Sequence, residues 1–105
     1  MTDLPKISIV SGPGGYCPVQ GDAIVEWPDG RVDYGYFRAR GDLWTVGVWE
    51  NTHAPAFELP DRDPDWEWAE AFGTRYDAGW MESDPAIQRF LTALALYIGT
   101  KAVRG

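Results

Sequence analysis

The chain has little sulfur or imidazole: one cysteine and one histidine, Cys17 and His53, in 105 residues. One cysteine forms no internal disulfide, which fits a reducing compartment. One cysteine and one histidine together supply no closed ligand set for a structural zinc or a haem. A cysteine nucleophile needs a base to generate thiolate, and His53 is the sole imidazole that could serve. No local protease signature surrounds Cys17. Pro18, directly after it, also removes one backbone N–H of the kind that builds oxyanion sites. These residues predict a structural Cys17. A thiol-dependent enzyme using Cys17 and His53 is the alternative from another class.

Long apolar runs are missing as well. The longest, Ala93 to Ile98, spans about a third of a bilayer. The opening "MTDLPKISIV" has neither a basic start nor a long apolar stretch, so no secretory signal is visible. The expectation is a cytoplasmic protein, of the bacterial host if a mobile element encodes it, with no membrane partner. A chain of this length forms one domain, residues 1–105, around a single core.

Basic residues are the third scarcity. Nine lysines and arginines face sixteen carboxylates, for a net charge of −7. The imbalance sits in residues 42–84, where eleven carboxylates meet only Arg62 and Arg75, a net of −9. Such a surface disfavours direct nucleic-acid binding, which needs a basic patch or stripe. It favours attraction to a basic protein surface. The plain alternative is that the acids only keep the protein soluble.

Elsewhere the pattern is rich. Ile7 to Val10 reads as a short first strand. "VQGDAIVEW" (19–27) and "RVDYGYFRAR" (31–40) flank "PDG", a turn with Gly30 at a left-handed position. "GD" (41–42) then turns the chain into "LWTVGVWE" (43–50), completing a three-stranded antiparallel meander. "NTHAPAFELPDRDP" (51–64) is a proline-broken connection. "DWEWAEAF" (65–72) carries two signals. Asp63-Pro64 and Gly73 look like helix start and stop, whereas Trp66, Trp68 and Phe72 share a period of two; the reading leans to a short helix. "TRYDAGWM" (74–81) is a candidate further strand. Asp84 as cap, Pro85 at the first helical position, and Ile87, Phe90, Leu91, Leu94 and Ile98 at helical spacing predict an amphipathic helix over 85–103. Arg89 falls on its opposite face, and Lys101 and Arg104 suit its C-terminal dipole. The predicted fold is α+β: an antiparallel meander of four to five strands with one long C-terminal helix packed on one face.

Fifteen aromatics, six of them tryptophan, exceed what one helix covers. Both faces of the meander carry large apolar groups. Either the 51–81 segment folds over the second face, or aromatics stay exposed as a partner or homodimer surface.

Several motifs fall short on inspection. "DRDPDWEWAEAF" begins with a calcium-loop rhythm but has Trp66 at the glycine position and Phe72 at the final glutamate position. "GPGG" (12–15) lacks the Lys-Ser/Thr of a phosphate loop. "RGD" (40–42) sits where the meander needs a turn. No metal and no cofactor is predicted. The acidic run is the strongest remaining feature. Glu58, Asp61, Asp63, Asp65, Glu67 and Glu70 lie within thirteen residues, opposed only by Arg62 and interleaved with Trp66 and Trp68. In an extended chain Asp61, Asp63 and Asp65 would stand roughly 6.6 Å apart, on the scale of a phosphate backbone. These eight residues are the predicted partner-binding set, and a surface that imitates nucleic acid is the predicted role.

The stretches "GGYCPVQGDAIV", "YGYFRARGDLWTVGV" and "DAGWM" resemble segments of small uncharacterised proteins of proteobacterial phages and prophages. The resemblance spans about half the chain. Small acidic phage proteins of this size include anti-CRISPR and anti-restriction inhibitors, which occlude nucleic-acid-binding surfaces or lock effector subunits. By analogy with that class, the expectation for a chain of mobile-element origin is a non-enzymatic inhibitor of a CRISPR effector or another nucleic-acid-binding defence complex. An oligomeric virion accessory protein is a further alternative.

Overall fold

In a computed structural model, which describes residues 4–15, 19–55, 59–72, 78 and 81–103, five strands precede one helix. They are β1 (Lys6–Gly14), β2 (Val19–Glu26), β3 (Val32–Arg40), β4 (Leu43–Trp49) and β5 (Trp66–Ala71), followed by α1 (Ser83–Val103). The strands lie in sequence order in one sheet, and every neighbouring pair is antiparallel. The α+β meander read from the sequence is the fold.

The turns follow from their residues. At the β2–β3 corner the Gly30 N–H donates to the Trp27 carbonyl at 2.9 Å, and Asp29 accepts from the Arg31 N–H at 2.9 Å. Gly30 takes φ +93°, a conformation side chains resist. Gly41, at φ +68°, is the first residue of the two-residue β3–β4 turn, where a tight hairpin calls for glycine.

Register divides the sheet into two faces. Val19, Ala23 and Val25 of β2 share one with Phe37 and Ala39 of β3, Trp44, Val46 and Val48 of β4, and Trp66 and Trp68 of β5. The helix lies on this side. Ala86, Phe90, Ala93, Leu94 and Tyr97 are buried against it, while Ile87, Leu91 and Ile98 are only half-buried. The apolar stripe is therefore rotated from the predicted one toward the small alanines and Tyr97. Each large side chain buried here contributes about 1.5–3 kcal/mol. Gly35 makes the close approach possible, because a Cβ there would stand 3.0 Å from Leu94 Cδ2.

Three expectations need correction. Residues 66–71 form a strand, not a short helix: the period-two pattern of Trp66 and Trp68 wins because β4 offers a ladder and the inner face needs covering. The helix starts at Ser83, two residues before Pro85. The Ala86 N–H donates to the Glu82 carbonyl at 3.1 Å, so Pro85 occupies a first-turn position whose missing N–H would have had no helical partner anyway. Arg89 is half-buried instead of facing away, with its guanidinium 4.5 Å above the Phe72 ring. The predicted strand over 74–81 falls mostly outside the described residues; Ala78 and Met81 are buried and lie outside any strand.

The second face is covered in part. The connection after β4 crosses it, and the Trp49 indole N–H donates to the Arg62 carbonyl at 2.8 Å. Pro64 lies above Gly47 on the same side. Tyr34 and Trp49 are thereby buried, with ring centroids 5.8 Å apart. Tyr36, half-buried, and Arg38 and Arg40, exposed, stand on the same face toward the other end of β3.

Helix and sheet are tied by one residue that composition did not single out. Asp33 is fully buried and accepts hydrogen bonds from the Trp27 indole at 2.6 Å, the Tyr97 hydroxyl at 2.6 Å, the Asn51 backbone N–H at 2.8 Å and Arg31 Nη2 at 3.3 Å. Arg31 Nε also lies 3.2 Å from Oδ1, but its N–H is not aligned on it, so that contact is electrostatic only. Burial, then the bond to Asp33, pushes the Tyr97 phenol well above its ordinary value.

Candidate partner-binding surface

Strand β5 forms one border of the sheet, and among the described residues no strand pairs with its outer side. The Phe72 N–H donates to the Asp42 carbonyl at 2.8 Å, in line with the β4–β5 register. Alternation along an antiparallel ladder then turns the backbone groups of Trp66, Trp68 and Glu70 toward β4, and those of Glu67, Ala69 and Ala71 outward.

The acidic residues lie on β5 itself and on the connection that leads into it. Glu67 projects from β5 on the side opposite the helix, and Glu70 on the helix side, both exposed. Asp61, Asp63 and Asp65 lie in the connection leading into β5, all exposed. This stretch is bent, so the straight row of charges expected for an extended chain does not form. Arg62 sets the bend. Its guanidinium reaches the Glu50 carbonyl at 3.0 Å, Thr52 Oγ1 at 3.0 Å and Asp65 Oδ2 at 2.8 Å. Asp65 also accepts from the Glu50 N–H at 2.7 Å. The Arg62 bond first, and the Glu50 N–H second, hold the Asp65 carboxyl below its usual range. The one arginine inside the acidic run is thus spent on Asp65, and Asp61 and Asp63 carry no ion pair among the described residues.

The two tryptophans separate. Trp66 is half-buried and leans into the core, its ring 5.6 Å from Tyr97. Trp68 is 37% exposed, and its indole N–H donates to Glu70 Oε2 at 3.2 Å. It forms one lip of a groove of about 300 Å³ that opens between β5 and α1. Trp44 and Glu70 line it on the sheet side, with Gln88, Arg89, Thr92, Ala93 and Leu96 along the helix. Leu96 is 46% exposed. Sequence reasoning found Trp68 and Glu70 but missed Arg89 and Leu96, because the groove exists only once β5 is a strand under the helix. Leu96 lying off the buried stripe was the available signal.

Of the remaining candidates, Glu58 and Cys17 lie outside the described residues, and His53 is exposed in the connection after β4. The glycine-rich stretch around Cys17 has a packing reason in its described part. A Cβ on Gly21 would come within 2.7 Å of the Pro13 backbone, so β1 crosses β2 there at backbone contact. On the second face Ser11 and Tyr34 donate to the two Asp22 oxygens, and the Tyr36 hydroxyl donates to Gln20. Burial raises the Tyr36 phenol, and burial with the Asp22 charge raises that of Tyr34. Among the described residues no group of three His, Cys, Asp or Glu side chains is arranged to hold a metal ion. Among the described residues no helix is long and apolar enough to cross a membrane. No family model, curated protein or solved structure matches this chain.

Proposed function

We propose that the chain is an acidic, non-enzymatic binding protein whose β5 border docks on a basic protein surface. The observation that supports this is the exposure of Glu67 and Glu70 on a border strand that is open among the described residues, of Asp61 and Asp63 on the connection leading into it, and of Trp68 beside Glu70. Carboxylates on β5 and on the connection leading into it project a negative field, and the aromatic beside Glu70 adds contact area of the kind that anchors interfaces. The phage-type resemblance adds the class of partner: a CRISPR effector or another defence complex whose basic groove normally takes nucleic acid. The protein then acts as an inhibitor by filling that groove with its own carboxylates.

The test combines phage challenge with binding. Cells with an active CRISPR or restriction system and expressing this chain are challenged with a targeted phage. The wild type restores plaques, and a variant with Asp61, Asp63, Asp65, Glu67 and Glu70 changed to Asn or Gln does not. With the purified effector, binding weakens as salt rises and nucleic acid competes, since exposed charges are screened over a Debye length of about 8 Å. Affinity unchanged by salt, by nucleic acid and by the five substitutions refutes the proposal.

A further inference from the structure

The β5 border has more than charge. It has backbone groups without a partner among the described residues, a groove and a particular alternation. Glu67, Ala69 and Ala71 direct N–H and C=O outward at strand spacing. A strand added there continues the sheet, and its residues alternate between two environments. On the helix side they meet the groove walled by Trp68, Trp44 and Leu96, with the oppositely charged Glu70 and Arg89 also lining it. The Trp68, Trp44 and Leu96 wall accepts an apolar side chain. On the opposite side they meet Glu67, with Asp61 and Asp63 on the connection that crosses that face, which accept cations.

Resting on the acidic-docking reading above, we propose that β5 binds an extended segment of its protein partner by strand addition. The segment alternates basic side chains, set against Glu67, Asp61 and Asp63, with apolar ones, the central one seated between Trp68 and Leu96. Charge argues against a second copy as occupant. Two β5 strands paired antiparallel through their outward groups, with Ala69 opposite Ala69, set Glu70 of each diagonal to Glu70 of the other, and a shifted register sets Glu67 or Glu70 against its own copy, so like charges meet across the ladder and destabilise it.

The experiment uses the full chain and a synthetic ten-residue peptide alternating lysine with valine, with one central leucine. Binding is followed by fluorescence anisotropy and by NMR of the labelled protein. The expected result is salt-dependent binding with exchange protection at the amides of Glu67, Ala69 and Ala71. Methylating alternate peptide nitrogens along the docking edge removes two or three hydrogen bonds and weakens binding about tenfold or more, whereas methylating the other set does not. Ala69→Pro removes an outward donor, a change that a border strand tolerates, and abolishes binding with the circular dichroism spectrum intact. Leu96→Ser weakens binding of the leucine peptide but not of a version with alanine at that place, and it stands in if the proline variant fails to fold. Salt-dependent binding without protection of those amides, and indifferent to the methylation pattern, overturns strand addition and leaves acidic docking standing. Absence of binding even at low salt, for wild type and five-site variant alike, overturns both. Dimerisation of the free protein that Ala69→Pro abolishes assigns the border to a second copy and overturns the basic segment.

Discussion

Replacing Asp33 by alanine tests the tie between helix and sheet. The carboxylate is fully buried and is the acceptor for the Trp27 indole, the Tyr97 hydroxyl and the Asn51 N–H, and it lies against the Arg31 guanidinium. Removing it orphans three donors and leaves Arg31 without its counter-charge. Breaking a buried charged network from one side costs about 3–5 kcal/mol. A domain of this length has about 5–15 kcal/mol in total, so the loss is a large part of the whole. At roughly 4–8 °C per kcal/mol, the melting temperature falls by about 12 °C or more. Tyr97→Phe keeps the ring that packs on Trp27 and Trp66 and deletes one bond to a charge, for about 1.5–3 kcal/mol. The double variant costs less than the sum by about 0.5–3 kcal/mol, because without the carboxylate the hydroxyl is itself an orphan. Urea unfolding followed by tryptophan fluorescence, with circular dichroism as a probe independent of Trp27, gives all three values. A cost for Asp33→Ala below about 1 kcal/mol, or strict additivity, refutes the argument.

Other changes probe separate parts of the molecule. Gly21→Ala forces a Cβ to 2.7 Å from the Pro13 backbone, where no flexible side chain can yield, and lowers stability by about 1–3 kcal/mol in thermal melts. Tyr34 and Tyr97 have phenols raised by burial, so their protonated forms belong to the folded state. Their stabilisation is complete below the unfolded phenol value near 10 and is lost as pH rises beyond it, so melts above about pH 10 show a steep decline that Tyr97→Phe makes shallower. Cys17→Ser and His53→Ala each leave partner binding and plaque restoration nearly intact; loss by orders of magnitude in both, with folding unchanged, would establish thiol chemistry instead.

The meander was readable because its signals agree: "PDG" and "GD" turns stand between alternating strands, and each turn demands the glycine it has. Segment 65–72 was ambiguous because Pro64 and Gly73 imitate helix punctuation, and only the presence of β4 beside it decides between the two periods. Asp33 was invisible for a different reason. In "RVDYGY" an aspartate between a valine and a tyrosine reads as the solvent side of a strand. Its burial depends on Val25 across the ladder and on Tyr97, sixty-four residues away. The acidic run was legible as charge but not as shape, since the bend that separates Asp61 and Asp63 from Asp65 depends on where Arg62 finds acceptors. The groove was illegible for want of both walls.

The order of elements also bears on how the chain acquires its structure. All five strands precede the helix that covers them, and neighbours in sequence are neighbours in the sheet. Each hairpin can close locally with little loop entropy, so the sheet can assemble early. Its inner face, with Phe37, Trp44, Val46 and Val48, has no lid until residues some thirty positions beyond β5 have been made. At ribosomal speeds of about 5–20 residues per second, that leaves roughly 2–6 seconds in which a nascent, half-built sheet shows a bare apolar surface. The nascent chain is therefore a natural client for chaperones during that interval, and slowed translation between β5 and α1 raises its tendency to aggregate without altering the finished molecule.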